Sequence, residues 1–126
     1  MLVLDSGGLS RLSRRTRRAA ALIAALKAAG LWPPVVPSVV LVESTDGTAR
    51  TDANVNRFLK SCEIASAVPE LTARRAGQLR ALARRGSPVD ALVVAIAEPG
   101  STVITSDRTD LEALAGHAVD VAVEVV

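Results

Sequence analysis

At 126 residues the chain suits one domain with a sizeable core, and 49% hydrophobic against 22% charged residues excludes a disordered chain. No run reaches the roughly 18 uninterrupted apolar residues of a membrane span. The net charge is only +2, but 13 of the 15 basic residues are Arg.

Ten of these Arg fall in two clusters, Arg11, Arg14, Arg15, Arg17 and Arg18, and Arg74, Arg75, Arg80, Arg84 and Arg85. Arg suits bidentate phosphate contacts, so a polyanionic partner is one reading, and a solvated helix face is the other. Trp32 and Phe58 are the sole aromatics, which counts against modules that bind bases by stacking. The amino terminus shows no signal-peptide pattern, because Asp5 and Arg11 interrupt it before an apolar region develops. Cys62 is alone, so no intrachain disulfide can form, and a cytoplasmic location is expected.

In chain order, Leu2-Val-Leu4 predicts a buried strand that stops at Asp5. Gly7-Gly8 permits a tight exit, and Ser10 or Ser13 is placed to cap a following helix. Ala19 to Ala29 is an Ala- and Leu-rich helix, stopped by Gly30 and barred from resuming by Pro33-Pro34. Val35 and Val36 predict a second short strand. Val39-Val-Leu-Val42 has strand-like β-branching, yet Ser38 is a reasonable N-cap; we read a helix ending near Gly47. Asp52 to Leu59 predicts another helix, with Phe58 and Leu59 inward.

Ile64 to Val68 predicts a third strand, closed by Pro69. Glu70 to Arg85 predicts an amphipathic helix with Leu71, Leu79 and Leu82 on its apolar side and Gly86 at its end. Ser87 then caps a helix with Pro88 at its first position. Its body, Ala91-Leu-Val-Val-Ala-Ile-Ala97, is apolar nearly all round, hence central, and Pro99-Gly100 stops it. A strand over Thr102–Thr105, a helix over Leu111–Leu114 and a strand near Val119–Val125 complete the chain. Strands alternating with helices predict a single α/β domain over residues 1–126, a three-layer α/β/α sandwich with a mainly parallel central sheet.

The candidate site is acidic. Apolar runs end at Asp5, at Glu43 and near Asp107 and Asp110, and Asp90 opens the central helix. If the first strand and Thr102–Thr105 run the same way, their acids meet at the carboxyl edge of the sheet, where open α/β sheets bind ligands. A carboxylate drawn from water costs several kcal/mol unless paired or metal-bound. Acids gathered on one edge repel one another unless a cation sits among them, and carboxylates without His or Cys select Mg²⁺ or Mn²⁺. Such ions activate water and stabilise a leaving oxygen in phosphodiester cleavage. Capping explains Asp107, Asp110 and Asp90 as well, at about 1 kcal/mol each, and Glu43 fits a solvated position equally. Ser6, Thr105 and Ser106 are placed to position a water or phosphate oxygen, or to make turn hydrogen bonds. His117, in a Gly-His-Ala turn, reads as a surface residue.

The pieces Leu-Val-Leu-Asp5-Ser6, Val-Val-Leu-Val-Glu43, Ser-Pro-Val-Asp90-Ala-Leu-Val-Val-Ala-Ile-Ala97 and Val-Ile-Thr105-Ser-Asp107-Arg-Thr-Asp110-Leu resemble the PIN-domain ribonucleases, and within them the VapC-type toxins of toxin–antitoxin pairs. Order, spacing and length agree along essentially the whole chain. The resemblance implies metal-dependent endonuclease cleavage of structured RNA such as tRNA or rRNA. It implies Asp5, Glu43, Asp90 and Asp107 as catalytic metal-site acids, Asp110 as an additional acid, and Thr105 as the hydroxyl residue before the fourth acid. It further implies a homodimer and a cognate antitoxin that covers the acidic groove. Gly7-Gly8 and Pro99-Gly100 depart from the usual pattern.

On this reading Arg11, Arg14, Arg15, Arg84 and Arg85 are candidates to hold the RNA backbone. Two alternatives stay open: a PIN-like module that binds RNA or protein without turnover, and a phosphatase-type hydrolase using Asp5 as nucleophile. Gly7 stands where haloacid-dehalogenase-like enzymes usually carry a second Asp.

Overall fold

A computed structural model describes residues 1–126. Leu2–Leu4 (β1), Val35–Pro37 (β2), Glu63–Ala65 (β3), Thr102–Thr105 (β4) and Ala122–Val125 (β5) form one sheet in the order β3-β2-β1-β4-β5, every pairing parallel. Val3 stands level with Val35 on one side and Val103 on the other. The middle strands are apolar on both faces because both faces are covered: Leu2, Val3, Leu4, Val103 and Ile104 are all buried. Burying each such side chain is worth roughly 1.5–3 kcal/mol.

The helices are Ser6–Ser13 (α1), Arg17–Ala28 (α2), Leu41–Ser44 (α3), Ala49–Leu59 (α4), Glu70–Ala83 (α5), Pro88–Ala97 (α6) and Arg108–Ala115 (α7). α1 packs on α2, α3 and α4, whereas α5, α6 and α7 pack on one another, and α1 and α6 both reach the central strands. The chain steps outward from β1 to β2 and β3, then returns to β4 and steps the other way to β5. With right-handed crossovers, that reversal puts the two helix sets on opposite faces. The result is the expected three-layer α/β/α sandwich, here with a wholly parallel sheet. The reversal also makes the boundary between β1 and β4 a topological switch point, where a crevice opens at the carboxyl ends of the strands.

Several element boundaries differ from the sequence expectation. α1 begins at Ser6 with Asp5 as its N-cap, so Gly7-Gly8 form its first turn and Ser10 and Ser13 lie inside it. α2 starts two residues earlier than expected, capped by Thr16. The Val39–Val42 run divides into a 3₁₀ turn, Ser38–Val40, and the single-turn α3, which stops at Ser44 and not near Gly47. Ser38 is no cap there; its hydroxyl donates to the carbonyl of Ser66. β3 is shorter and shifted, at Glu63–Ala65. α4 and α7 are longer than expected, and β5 begins only at Ala122.

On α5 the buried side differs from the expected one. Leu71 is 81% exposed and Leu82 51%, while Leu79 and the small Ala76 face the core. α5 packs on α6 more extensively than on any other element, and small residues, Ala76 here and Ala91 on α6, occupy buried positions in both. α6 itself matches expectation: Ser87 and Asp90 form a reciprocal capping box, Pro88 is at the first position, and Ala91, Val93, Val94, Ala95 and Ala97 are buried.

Candidate functional site

Asp5 follows β1 directly and is only 3% exposed. Its Oδ1 accepts the Gly8 amide at 2.7 Å, and its Oδ2 accepts the Thr105 hydroxyl from β4. Burial pushes its carboxyl above the ordinary range; the hydrogen bonds from Thr105 and Gly8 pull it down, and the charges of Asp90 and Asp107 push it up again. Asp5 therefore lies in the field of two other site acids.

The turn that carries Asp5 is unusually close to β4. A Cβ on Gly8 would meet the Ile104 carbonyl oxygen at 2.2 Å, and one on Gly7 would meet the Ser106 hydroxyl at 2.1 Å. Gly7-Gly8 are thus required by close approach of helix to strand, and not to exit a turn. That approach sets Asp5 against the carboxyl end of β4.

Asp90, Asp107 and Asp110 each offer a carboxylate oxygen within 4.8 Å of the others. Asp90 comes from the first turn of α6, Asp107 caps α7 and Asp110 lies in its first turn. The capping reading is also correct. Asp90 Oδ2 accepts the Ser87 amide at 3.0 Å, and Asp107 Oδ1 accepts the Asp110 amide at a long 3.3 Å. Asp110 Oδ1 accepts Arg85 Nε at 2.8 Å. Each cap or ion pair occupies one oxygen, and the other oxygen of each acid carries no hydrogen bond from the chain. Capping and ligation are therefore compatible in the same side chains.

Glu43, like Asp5, is not among the three acids whose oxygens lie within 4.8 Å of one another. It is exposed on α3, among the helices that pack with α1, and it is not one of the acids whose charge Asp5 feels. Of the expected acids, Asp90, Asp107 and Asp110 are brought within ligating distance of one another, Asp5 feels the charges of Asp90 and Asp107, and Glu43 sits on α3 after β2. β2 is the neighbour of β1, and α3 packs on α1, while the 3₁₀ turn before it packs on α6.

Thr105 is fully buried, and its hydroxyl donates to Asp5 while accepting the Asp107 amide at 2.9 Å. It ties two acids together and has no proton left for a water or phosphate. Ser6 is half-buried at the start of α1, and Ser106 is exposed beside Gly7. His117 is exposed, as expected.

Of the basic candidates, Arg11, Arg14 and Arg15 are exposed at the corner between α1 and α2, where they line two hollows of about 210 and 360 Å³. Arg84 and Arg85 line another, of about 420 Å³, at the end of α5. The pairing of Arg85 with Asp110, 25 residues away, left no local trace in the sequence.

No family's sequence model matches the chain, and no curated protein matches it. Among solved structures it is similar to PAE2754 from Pyrobaculum aerophilum, at 17% identity and a TM-score of 0.65 over 94% of this chain and 89% of that one. It is also similar to FitAcB from Neisseria gonorrhoeae, at 17% identity and a TM-score of 0.63 over 97% and 96% of the two chains. The fold is PIN-like. At this identity the likeness shows the fold and leaves the chemistry to the residues.

Those residues fit a hard divalent cation. The donors are oxygens only, with no His or Cys among them. Arg85 is the one basic side chain ion-paired with any of the four Asp, so the group keeps a surplus of negative charge. No helix is long and apolar enough to cross a membrane.

Proposed function

We propose that this chain is a Mg²⁺- or Mn²⁺-dependent endoribonuclease, the VapC-type toxin of a toxin–antitoxin pair, acting on structured RNA such as tRNA or rRNA. The observation that carries the reading is the convergence of Asp90, Asp107 and Asp110 beside buried Asp5, at the switch point of the sheet. The sequence resemblance and the PIN-like fold support it.

Asp90, Asp107 and Asp110 would hold the ion through their free oxygens, with Asp5 supplying negative charge from beneath. When bound, the ion supplies an activated water and charge stabilisation for the leaving oxygen. Thr105 holds Asp5 and Asp107 at fixed separation, so the ligands are set before the ion arrives. Glu43, exposed on α3 after β2, would serve a second ion or orient the attacking water. A cognate antitoxin covering the acidic groove, a homodimer and a cytoplasmic location belong to the same reading.

The phosphatase alternative loses support, because both oxygens of Asp5 are hydrogen-bonded and the residue is 3% exposed. An in-line nucleophile needs an open oxygen. A PIN-like module without turnover remains a second reading, favoured by the caps and the Arg85 pair that satisfy the acids locally. Incubating the purified chain with total RNA and Mn²⁺ separates the two: the toxin reading expects discrete cleavage products that Asp90→Asn and Asp107→Asn abolish. Intact RNA with both metals, or equal cleavage by the variants, removes the enzyme.

A further inference from the structure

α5 and its C-cap carry four Arg whose fates divide along the helix. Arg74 pairs with Glu70 at 2.8 Å and Arg75 with Glu98 at 3.0 Å. One and two turns further on, Arg80 and the capping Arg84 have no carboxylate partner. With Gly77, Ala81, Arg85 and Gly86 they line a hollow of about 420 Å³ that contains no acid and one apolar residue.

The hollow is held in shape. Arg80 Nε donates to the Gly86 carbonyl at 3.1 Å, which fixes its stem and leaves its terminal nitrogens free. Arg84 adopts the left-handed region, at φ 55°, a conformation that a bulky residue rarely takes. Arg85 reaches out of the same hollow to Asp110 at 2.8 Å. One side chain thus joins the hollow to the acid group.

The end of a helix attracts Arg for its own sake, since the macrodipole places about half a negative charge there. That attraction is satisfied by any exposed Arg and does not require three on one concavity. Arg85 is paired with Asp110, but the two unpaired guanidinium charges of Arg80 and Arg84 still outweigh the half charge, so the hollow favours an anion. The corner between α1 and α2 is also Arg-rich, but its hollows are lined in large part by Leu12, Ala19, Leu22, Ala20, Ile23 and Phe58.

We propose that the hollow of Arg80, Arg84 and Arg85 binds a backbone phosphate of the RNA strand, one that neighbours the phosphate presented to the acids. Arg80 and Arg84 supply paired guanidinium donors, and Arg85 sets the distance between this subsite and the acid group. The proposal rests on the nuclease reading for its ligand, but its geometry is independent of turnover.

The test is anisotropy binding of a fluorescein-labelled, 2′-O-methylated single-stranded RNA to the full chain in EDTA, between about 50 and 200 mM salt. Each lost phosphate contact flattens the slope of log K against log salt by about 0.7 on a single strand, so the Arg80→Ala/Arg84→Ala pair flattens it by about 1.4. The Arg80→Lys/Arg84→Lys pair keeps the slope and loses affinity, because charge is retained and the fork is lost. Arg74→Ala, which removes an exposed guanidinium already paired with Glu70, leaves the slope unchanged. An unchanged slope in the first pair overturns the subsite, as does a Lys pair that falls as far as the Ala pair. Cleavage with Mn²⁺ is scored separately. A parent that cleaves RNA while the slope ignores Arg80 and Arg84 sinks the subsite alone. A slope that responds in a chain that never cleaves sinks the nuclease reading alone.

Discussion

Thr105 donates its hydroxyl proton to Asp5 across the β1–β4 boundary, from a position 100 residues further along the chain. The same oxygen accepts the Asp107 amide. One buried side chain therefore orients two of the acids and spans the switch point.

Replacing Thr105 by Val keeps the shape and removes both hydrogen bonds. A bond to a charged group is worth about 1.5–3 kcal/mol, so Thr105→Val should cost roughly 2–3 kcal/mol in urea unfolding. Thr105→Ser keeps the hydroxyl and should cost less than half as much. A double-mutant cycle with Asp5→Asn should show coupling of roughly 0.5–3 kcal/mol. Additive effects, or equal losses for Val and Ser, would mean that Thr105 does not hold Asp5.

The first turn of α1 should tolerate no side chain at Gly8. The obstacle there is the Ile104 carbonyl, part of the sheet backbone, whereas at Gly7 the nearest atom is the movable Ser106 hydroxyl. Overpacking of this kind costs about 1–3 kcal/mol. Thermal unfolding should place Gly8→Ala at or above the top of that range and Gly7→Ala lower. The reverse order would contradict the close approach that positions Asp5.

Metal should stabilise the fold through the three converging acids. Mn²⁺ at a hundred times its Kd adds about 2.7 kcal/mol, on the order of 10 °C in Tm for a chain of this size. Asp90→Ala should abolish the shift and the calorimetric binding signal. Asp110→Asn should weaken it less, because the Arg85 pair is lost together with the ligand. Glu43→Gln should leave the first ion unaffected. No shift in the parent, or its loss in Glu43→Gln alone, would show that the acids outside Glu43 are caps and nothing more.

Cys62 gives the pH dependence a clear sign. Burial raises its thiol from 9.0 to about 11, with the Ser61 hydrogen bond opposing. The folded state thus holds the proton more tightly than the unfolded chain. Its contribution is fully present below pH 9 and is lost as pH rises toward about 11. At about 1.36 kcal/mol per unit, that loss is roughly 2–3 kcal/mol. Cys62→Ala should lack this alkaline decline in urea titrations. In the parent, alkylation by iodoacetamide at pH 8 should be much slower than in the unfolded chain; equal rates would show an open thiol.

Much of this protein is readable along the chain. β1 and β4 are legible because a strand covered on both faces must be apolar throughout, and each breaks at an acid where the chain leaves the sheet. The start of α6 is equally local: Ser87, Pro88 and Asp90 satisfy helix donors within four residues. These signals named Asp5, Glu43, Asp90, Asp107 and Asp110 as acids of one edge, and of these Asp90, Asp107 and Asp110 lie within ligating distance of one another.

What tertiary structure alone decided is who meets whom. No periodicity within β1 says that β4, and not β3, is its neighbour, yet that pairing brings Thr105 to Asp5 and the first turn of α1 against Ile104. Gly7-Gly8 read as a loop because glycine signals freedom locally; here the missing side chains make room for Ile104 and Ser106, far along the chain. Leu71 and Leu82 looked inward because amphipathic spacing cannot tell a core from a surface once small residues such as Ala76 and Ala91 occupy the buried positions in α5 and α6. Arg85 meets Asp110 because that pairing depends on where separate helices leave the sheet. Local sequence carries hydrogen-bonding and burial preferences, whereas the crossing order of the strands sets distances between residues far apart in the chain.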